Sequence, residues 1–410
     1  MSSDRIKAKK EQNNRRNIKL PYDDAFIELP ISEKAEITEL IPPYIKPLSY
    51  EQIIHSVRNP IEQGGLSKIA FGKKNVMVIL ENATRPLNTR FVASLIVEEL
   101  TKAGVADENI TFLFANGAHK DMKEYNYKRK LGKQFKKFRI INHDCEGELV
   151  SLGKTSLGSP ILINRHVLKA DLRIAIGTIE PHYGDGVSGG AKILFPGCAG
   201  LEWIFNNHSL KRGEFGQIDN EWRNDTEESA GKVGIDFLVN AVLNYKREII
   251  GLYCGDWIKA HREGVNLSVK ASTVVLPYKA DFCIASSSPF DLNFIQALKG
   301  IDVTRTALKK DGSYVMLTSC PQGLGNHRWL LDTRMMETRQ KQNAEYDSAL
   351  TEIVYSTHLS ETELHSFYPQ QVRLVDDVGE LKRVIASVDT YGRKGIILPY
   401  SPITILQYHG

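Results

Sequence analysis

Short, wholly apolar runs recur along this chain, and segments long enough to form helices separate them. In the first half these runs cover residues 76–80, 110–114 and 172–179, and an amphipathic helix is predicted over residues 91–103. Apolar strands that alternate with helices are typical of a parallel sheet covered by helices on both faces. The first half is therefore predicted to be an α/β domain.

The second half of the chain repeats this pattern. The predicted strands cover residues 281–286, 312–318, 372–375 and 395–398. The predicted helices cover residues 293–310, 333–356 and 378–387. The predicted fold class is therefore α/β, with two domains that each contain a mainly parallel sheet and flanking helices.

We place the boundary between the two domains near residue 275. Residues 1–20 are expected to form a disordered basic tail, because they are polar and rich in lysine and arginine. Residues 21–275 are then the N-terminal domain and residues 276–398 the C-terminal domain. Residues 399–410 are a candidate for rejoining the N-terminal domain.

The composition excludes several classes of protein. The chain has 410 residues, of which 42% are hydrophobic and 25% charged, as in a globular protein of two ordinary domains. It contains no apolar run near the roughly 18 residues that cross a bilayer, and its N-terminus lacks the apolar core of a signal peptide. The five cysteines are scattered and have no C-x-x-C spacing, which argues against a disulfide framework and a structural zinc site. We expect a cytoplasmic protein with no membrane partner.

One stretch of the chain is strongly basic. Residues 120–139 combine lysines and arginines with aromatic residues at roughly helical spacing. A nucleic-acid interface could have this pattern, but a solvated helix face is the favoured interpretation. Because the net charge is only +4, no nucleic-acid partner is expected.

A glycine-rich segment, residues 180–197, directly follows the third apolar run. Its glycines include Gly184, Gly186, Gly189 and Gly190. Glycines let a backbone turn sharply and approach a ligand closely. His182 and Lys192 flank this run of glycines, and His208 follows further along. A phosphate-binding loop with an acid/base candidate and an amine indicates an active site.

Polar residues follow all three strands predicted in the first half. Arg85, His119 and His182 each lie in the loop after one of them. Ligands of open parallel sheets bind beyond the carboxyl ends of the strands, so the three loops predict one shared site. Arg85 suits recognition of a carboxylate or phosphate, with a surface ion pair as the alternative. His119 taken alone would more often be a solvated or capping residue.

Lys192 and His208 each allow two interpretations. Lys192 follows S-G-G-A, which favours a contact with phosphate or with a covalent partner over a surface lysine. His208, in the sequence N-N-H-S, fits an ordinary histidine at a helix end better than a metal ligand when it is judged alone.

Four motifs in this order resemble the lactate racemase family, whose members use a nickel-pincer nucleotide. The first two are N-A-T-R-P at residues 82–86 and A-N-G-A-H at residues 115–119. The third is E-P-H-x(6)-G-G-A-K-x(3)-P-G at residues 180–197, with a histidine sixteen residues after the lysine. The fourth is N-F-I-Q-A-L-K-G at residues 293–300. The resemblance covers most of the chain.

The resemblance implies a role for each matching residue. Lys192 would be joined covalently to the cofactor as a thioamide, and His208 would be the protein's ligand to Ni(II). His119 and His182 would be the two acid/base catalysts. The implied substrate-binding residues are Arg85, Gln296 and Lys299. The implied cofactor contacts are Asn82, Thr84, Arg85, Gly189, Gly190 and Lys192.

The resemblance also implies the reaction. The protein would racemise or epimerise a 2-hydroxy acid by reversible hydride transfer from the α-carbon to the nickel-pincer nucleotide, through a 2-keto acid. The N-terminal domain would bind the cofactor, the active site would lie in the cleft between the domains, and cofactor-synthesis proteins would be partners. The alternatives are a nicotinamide-dependent 2-hydroxyacid dehydrogenase and a non-catalytic protein that binds the cofactor.

Two positions differ from the family's usual pattern. Asn82 occupies a position where aspartate is common, so a charge is lost while hydrogen bonding is kept. Val187 occupies a position where an aromatic residue is common, and Asp185 lies two residues before it. A smaller side chain indicates a different pocket, so the resemblance does not imply lactate as the substrate.

Overall fold

The computed structural model describes residues 15–328, 330–332, 350–389 and 392–409. Its residues divide into two compact units. The larger, which we call the N-terminal unit, consists of residues 43–272 together with His327 and Arg328. The other, the C-terminal unit, consists of the described residues within 15–42, 273–326 and 330–409.

The strands and helices of the described residues are numbered here in chain order. The strands are β1 (Arg15–Tyr22), β2 (Ala25–Ser32), β3 (Glu36–Glu39), β4 (Val76–Glu81), β5 (Ile110–Ala115), β6 (Arg139–Asn142), β7 (Leu149–Lys154), β8 (Pro160–Asn164), β9 (Leu172–Ile179), β10 (Pro181–His182), β11 (Gly186–Val187), β12 (Phe237–Leu243), β13 (Ile249–Gly255), β14 (Thr273–Leu276), β15 (Ala280–Ser286), β16 (Leu308–Leu317), β17 (Thr351–Tyr355), β18 (Arg373–Val375), β19 (Lys394–Leu398) and β20 (Ile405–Tyr408). The α-helices are α1 (Tyr50–Arg58), α2 (Leu66–Ala70), α3 (Arg90–Lys102), α4 (Glu124–Leu131), α5 (Arg165–Lys169), α6 (Leu201–Ser209), α7 (Glu221–Val233), α8 (Lys259–Ser272), α9 (Phe294–Thr306), α10 (Glu361–His365) and α11 (Val378–Val388).

The N-terminal unit is built on a six-stranded sheet in the order β13-β12-β9-β4-β5-β6. Its neighbouring strands run parallel except β12 and β13, which are antiparallel. Alternate residues of a strand face opposite sides of its sheet. Accordingly Val76, Val78 and Leu80 belong to one apolar cluster, whereas Met77 and Ile79 belong to another. Both faces of β4 are therefore covered, which explains why its sequence is continuously apolar.

The C-terminal unit contains a second six-stranded sheet, in the order β18-β17-β16-β15-β19-β3, and all its neighbouring strands run parallel. Phe282 and Ile284 of β15 pack into one apolar cluster, and Cys283 and Ala285 pack into another. The predicted fold class, two α/β domains with mainly parallel sheets, is thus confirmed. No helix within the described ranges has both the length and the apolar character needed to cross a bilayer.

The ends of the chain differ from the sequence-based expectation. Residues 1–14 of the predicted tail lie outside the described residues, but residues 15–20 form part of β1, which pairs with β2. This hairpin is ordered because Leu20, Leu29 and Ile31 are buried in a cluster with residues of the C-terminal sheet. Residues 15–42 and the closing residues 399–409 group with the C-terminal unit, not with the N-terminal unit.

Two predicted helices also differ. The helix expected over residues 293–310 is α9, and it ends at Thr306 because the backbone enters the buried strand β16 at Leu308. Residues 333–349 of the long polar helix lie outside the described residues. The helix prediction is wrong for residues 351–355, which form β17 in the middle of the sheet.

Candidate active site

Three loops of the N-terminal unit leave the same edge of its sheet. β9, β4 and β5 are parallel neighbours, so the loops that begin at residues 82, 116 and 180 all start at carboxyl ends of strands. β4 pairs with β5 on one side and with the much later β9 on the other. The winding of the chain therefore reverses at β4, and open α/β sheets bind ligands at such a reversal.

The loop after β4 is fixed by an asparagine and an ion pair. Asn82 Oδ1 accepts hydrogen bonds from the Thr84 backbone N–H at 3.1 Å and the Thr84 hydroxyl at 2.6 Å, which makes an Asx turn. Arg85 Nη1 donates to Glu180 Oε1 at 2.5 Å. This ion pair joins the loop after β4 to the loop after β9, so Asn82, Thr84 and Arg85 hold a defined arrangement.

A buried lysine supports the same loop from below. Lys130 is only 1% exposed, and its Nζ donates to the carbonyl oxygens of Arg85 at 3.1 Å and Leu87 at 2.8 Å. Glu81 Oε1 lies 3.5 Å from this Nζ. The interpretation of residues 120–139 as a solvated face is therefore wrong for Lys130. Its charge can be buried because these oxygens compensate it.

The loop after β5 presents His119 beside a histidine from the second half of the chain. Gly117 adopts a positive φ of 54°, which allows the turn that leads to His119. The rings of His119 and His327 lie 4.4 Å apart, centroid to centroid, and are almost perpendicular at 87°. The Arg328 backbone N–H donates to the Ala118 carbonyl at 2.8 Å. Sequence reasoning missed His327, which lies about two hundred residues from this loop and has no local motif.

Backbone conformation and neighbouring side chains both require glycine at positions 189 and 190 of the glycine-rich loop. Gly189 and Gly190 have φ values of +80° and +59°. The Gly190 N–H donates to Asn240 Oδ1 at 2.7 Å. A Cβ atom on Gly189 would lie 2.7 Å from that Oδ1, and a Cβ on Gly190 would lie 2.9 Å from Cγ of His261. The polar Asn240 in the otherwise apolar strand β12 was a signal that sequence reasoning missed. Cofactor contact by Gly189 and Gly190 stays a prediction.

Lys192, Asp185 and His182 form a buried group at the centre of this loop. Lys192 Nζ donates to Asp185 Oδ2 at 2.5 Å, and His182 Nδ1 lies 3.6 Å from the same oxygen. The three side chains are 7%, 1% and 13% exposed, in that order. Sequence reasoning noted Asp185 only as a difference from the family and gave it no role.

Burial changes the acidities of this pair. Burial lowers the pKa of Lys192 to about 8, because it outweighs the nearby negative charge of Asp185. Burial acts to raise the pKa of Asp185, but the positive charges of Lys192 and Arg223 outweigh it and hold that pKa below its usual value. Asp185 is therefore ionised near neutral pH, while a fraction of Lys192 is an uncharged amine.

A buried arginine and a buried histidine hold the glycine-rich backbone from beneath. Arg223, on α7, is wholly buried and donates from Nη1 to the Gly189 carbonyl at 3.1 Å and from Nη2 to the Val187 carbonyl. His261, on α8, lies with Nε2 at 2.9 Å from the Ser188 carbonyl. Sequence reasoning missed Arg223 and His261, because each is a single polar residue on a helix that contains both polar and apolar residues. No sequence motif indicates that such a residue is buried.

Val187 lies inside the protein. It is fully buried in β11 and packs in a cluster with Ile179 and Val242. Its difference from the family's common aromatic residue is therefore a difference in core packing beneath the loop.

His208 lies in the last turn of α6. Its ring centroid is 4.2 Å from the ring of Trp222. Burial, together with the positive charge of Lys192, lowers the pKa of His208 to about 3, so the imidazole is neutral near pH 7. Neutral imidazole is the form that binds metals. Among the residues that the structure describes, no group of three or more His, Cys, Asp and Glu side chains is arranged to hold a metal ion.

Gln296 and Lys299 belong to the C-terminal unit, whereas the other predicted site residues belong to the N-terminal unit. Both lie in the first turns of α9, which Asn293 caps by accepting from the Gln296 backbone N–H. Lys299 Nζ donates to Gln296 Oε1 at 3.0 Å and lies 4.3 Å from the ring centroid of Phe290. The two side chains therefore form one polar pair on one helix.

An α/β domain with polar loops at a reversal of its winding is the arrangement of a ligand-binding or catalytic α/β protein. Comparison with known proteins narrows this class. Residues 22–217 match the family described as the lactate racemase N-terminal domain. Proteins named lactate racemase from Thermoanaerobacterium thermosaccharolyticum and Lactiplantibacillus plantarum are 28% and 29% identical to the chain. The first alignment covers 78% of each chain; the second covers 75% of this chain and 76% of the relative.

Solved structures have the same fold. The lactate racemase apoprotein from T. thermosaccharolyticum superposes with a TM-score of 0.79 at 24% identity, over 96% of this chain and all of that one. A Thermotoga maritima protein superposes with a TM-score of 0.65 at 19% identity, over 89% of this chain and all of that one. Together with the match to the N-terminal domain, the sequence relatives make the chain similar to proteins named lactate racemase over most of its length.

Proposed function

We propose that this protein is an isomerase that racemises or epimerises a 2-hydroxy acid with a nickel-pincer nucleotide attached to Lys192. The observation that carries this proposal is the buried amine of Lys192, which lies in the glycine-rich loop with Asp185 and His182. The two relatives named lactate racemase support the reaction class.

The residues present fit the proposed cofactor. An amine can attack a carbonyl or thiocarbonyl carbon only when it is uncharged, and the pKa of about 8 leaves part of Lys192 uncharged near neutral pH. His208 is neutral and offers a nitrogen ligand, which suits Ni(II). Asn82, Thr84, Gly189 and Gly190 would contact the bound nucleotide. The chemistry that this group supplies when bound is reversible acceptance of a hydride from the substrate α-carbon.

The protein's own side chains would bind the substrate and move its hydroxyl proton. Arg85, at the rim of the sheet, would bind the carboxylate, with Gln296 and Lys299 as further substrate contacts. His119 and His182 would exchange the hydroxyl proton, one for each stereoisomer, because the hydroxyl lies on a different side in each. Histidine suits this role, since both of its protonation states are accessible near neutral pH. Inversion requires only that the 2-keto acid be attacked from its opposite face.

The test is racemisation by protein produced together with cofactor-synthesis proteins, which the proposal requires as partners. Each enantiomer of a panel of 2-hydroxy acids, lactate included, is incubated in D₂O without added NAD and analysed by chiral chromatography and mass spectrometry. We expect racemisation of at least one acid without deuterium at the α-carbon, because the hydrogen returns as hydride.

The variant His182→Ala tests whether His182 acts as an acid/base catalyst. It should lower kcat by about 10²–10⁴, the usual contribution of general acid–base catalysis. Unchanged turnover by this variant contradicts the proposal. A requirement for added NAD would indicate a dehydrogenase instead, and cofactor binding without turnover of any acid would indicate a binding protein.

A further inference from the structure

Asp185 lies between the two residues that the proposed function uses most. Its Oδ2 is 2.5 Å from Lys192 Nζ and 3.6 Å from His182 Nδ1, and Thr226 Oγ1 lies 3.4 Å from its other oxygen. The carboxylate is 1% exposed, so water does not screen its charge. One oxygen therefore faces both the amine and the imidazole, and it is closer to the amine.

We propose that Asp185 is a positioning residue that changes partners when Lys192 is modified. It pairs with the ammonium of Lys192 in the unmodified protein and holds the Nδ1–H of His182 once that ammonium is gone. This inference rests on the proposed function, which supplies the modification.

The modification removes the positive charge from Lys192. The ammonium first gives one proton to solvent. Nζ then forms a bond to the thiocarboxyl carbon of the cofactor precursor, the C–O bond of that group breaks, and its hydroxyl leaves with one amine hydrogen as water. The product is a neutral thioamide with one N–H, and nothing is oxidised or reduced.

A buried carboxylate that loses its cation must find other donors, because an uncompensated buried charge strongly destabilises the folded protein. The charged or titratable groups around Asp185 come from five elements: Lys192, His182, His208 of α6, Arg223 of α7 and His261 of α8. His261 Nε2 already lies 2.9 Å from the Ser188 carbonyl. Arg223 already donates to the carbonyls of Gly189 and Val187. His182 Nδ1 lies just beyond hydrogen-bond length, so a small ring movement completes the bond.

This bond would prepare His182 for proton transfer. A carboxylate that accepts from Nδ1–H fixes the tautomer in which Nε2 has a free lone pair, as in the histidine–carboxylate pairs of hydrolases. The imidazole is then both oriented and stabilised when it takes up the substrate's hydroxyl proton. Cofactor attachment would thereby activate the base that the attached cofactor needs.

A first experiment needs no cofactor. Lys192→Met removes the charge that attachment removes, and Lys192→Arg keeps it. In protein with ¹⁵N-labelled histidine, NMR should detect a slowly exchanging, downfield Nδ1–H of His182 in Lys192→Met but not in the wild type or Lys192→Arg. The double variant Lys192→Met/Asp185→Asn should lose this signal. Its presence in the double variant, or its absence from folded Lys192→Met, overturns the proposal whatever the protein's substrate is.

A second experiment uses protein produced with the cofactor-synthesis proteins. Asp185→Asn should still show the Lys192 adduct by intact mass, but its kcat should fall by about 10²–10⁴ with KM changed less than about threefold. Asp185→Glu should recover part of kcat. Asp225→Asn is the control, since Asp225 is equally buried but binds Thr155 and Asn207. Wild-type kcat in adduct-bearing Asp185→Asn overturns the inference, whereas wild-type protein that racemises nothing overturns the proposed function.

Discussion

The fold changes the acid–base chemistry of Lys192. An exposed lysine is almost wholly protonated at neutral pH, with a pKa near 10.4. In this protein burial lowers the pKa of Lys192 to about 8, although Asp185 opposes that change. The fold thus leaves a fraction of Lys192 uncharged near neutral pH and pairs its charged form with Asp185.

The first prediction concerns the reactivity of that amine. The uncharged form grows about tenfold per pH unit below the pKa and levels off above it. Modification of Lys192 by limiting acetic anhydride, followed by peptide mass spectrometry, should therefore level off above pH 8. The exposed Lys19 of the same protein is the internal control. A Lys192 profile that matches Lys19 would contradict the burial argument.

Sequence reasoning named candidate site residues that lie in motifs and missed the residues that contact the same loops from elsewhere in the chain. Lys192, His182 and Arg85 lie in short loops after apolar strands, where the sequence pattern is local. Arg223 and His327 approach the same loops from a later helix and from the second half of the chain. No local pattern marks such contacts, because they depend on tertiary packing.

The glycine-rich segment, residues 180–197, contains glycine where neighbouring side chains leave no room for a Cβ atom. It passes over β12 and α8 so closely that Asn240 and His261 occupy the space of the missing Cβ atoms. Its backbone is in addition held by the guanidinium of Arg223. The segment is therefore built into the core of the unit, unlike a loop that only covers a surface.

The second prediction separates crowding from backbone strain in this segment. Gly190→Ala introduces both a positive φ for alanine and a Cβ 2.9 Å from the His261 ring, and should lower the free energy of unfolding by about 2–4 kcal/mol. Gly72→Ala has φ +74° with open space around the added Cβ, so it should cost only about 1–2 kcal/mol. Urea denaturation measures both. Equal costs would mean that the contact with His261 does not matter.

Some strands could be predicted from their own sequence, whereas others are recognisable only from their position in the folded sheet. The runs that became β4, β5 and β9 were predictable because they are apolar on both faces. β17 was predicted as helix because T-E-I-V-Y is short and follows a polar stretch, and only its position in the middle of a sheet buries it. Residues 15–20 of β1 were assigned to a basic tail, because three of the six are arginine or lysine and only two are apolar.

Buried neutral histidines affect the stability of the whole molecule. Burial lowers the pKa of His143 to about 4 and holds the pKa of His261 well below its usual value, and both belong to the N-terminal unit. Their folded-state pKa values lie below those of the unfolded chain, so the unfolded chain binds more protons as the pH falls below about 6.5. Acid therefore favours unfolding of this unit.

The third prediction follows with a definite sign. Between pH 7 and pH 5.5 the N-terminal unit should lose about 1 kcal/mol of unfolding free energy for each such histidine. Urea titrations at the two pH values, followed by the fluorescence of Trp203 and Trp222 in this unit, measure the change. His143→Asn removes one titrating group and should reduce the loss accordingly. A stability that is constant or rises toward pH 5.5 would contradict the assignment of neutral buried rings.

The path of the chain past His327 and Arg328 limits how such genes can recombine. These two residues are encoded after three of the six strands of the C-terminal sheet, yet they pack against Ala118 and His119 in the N-terminal unit. Residue 272 is the last residue of the main segment of the N-terminal unit. A chimera joined there would take His119 from one parent protein and its neighbour His327 from the other. Chimeras between distant relatives should therefore fold and function best when both parents have the same residues at positions 118–119 and 327–328. The segment that must be exchanged as a whole is thus longer than residues 43–272.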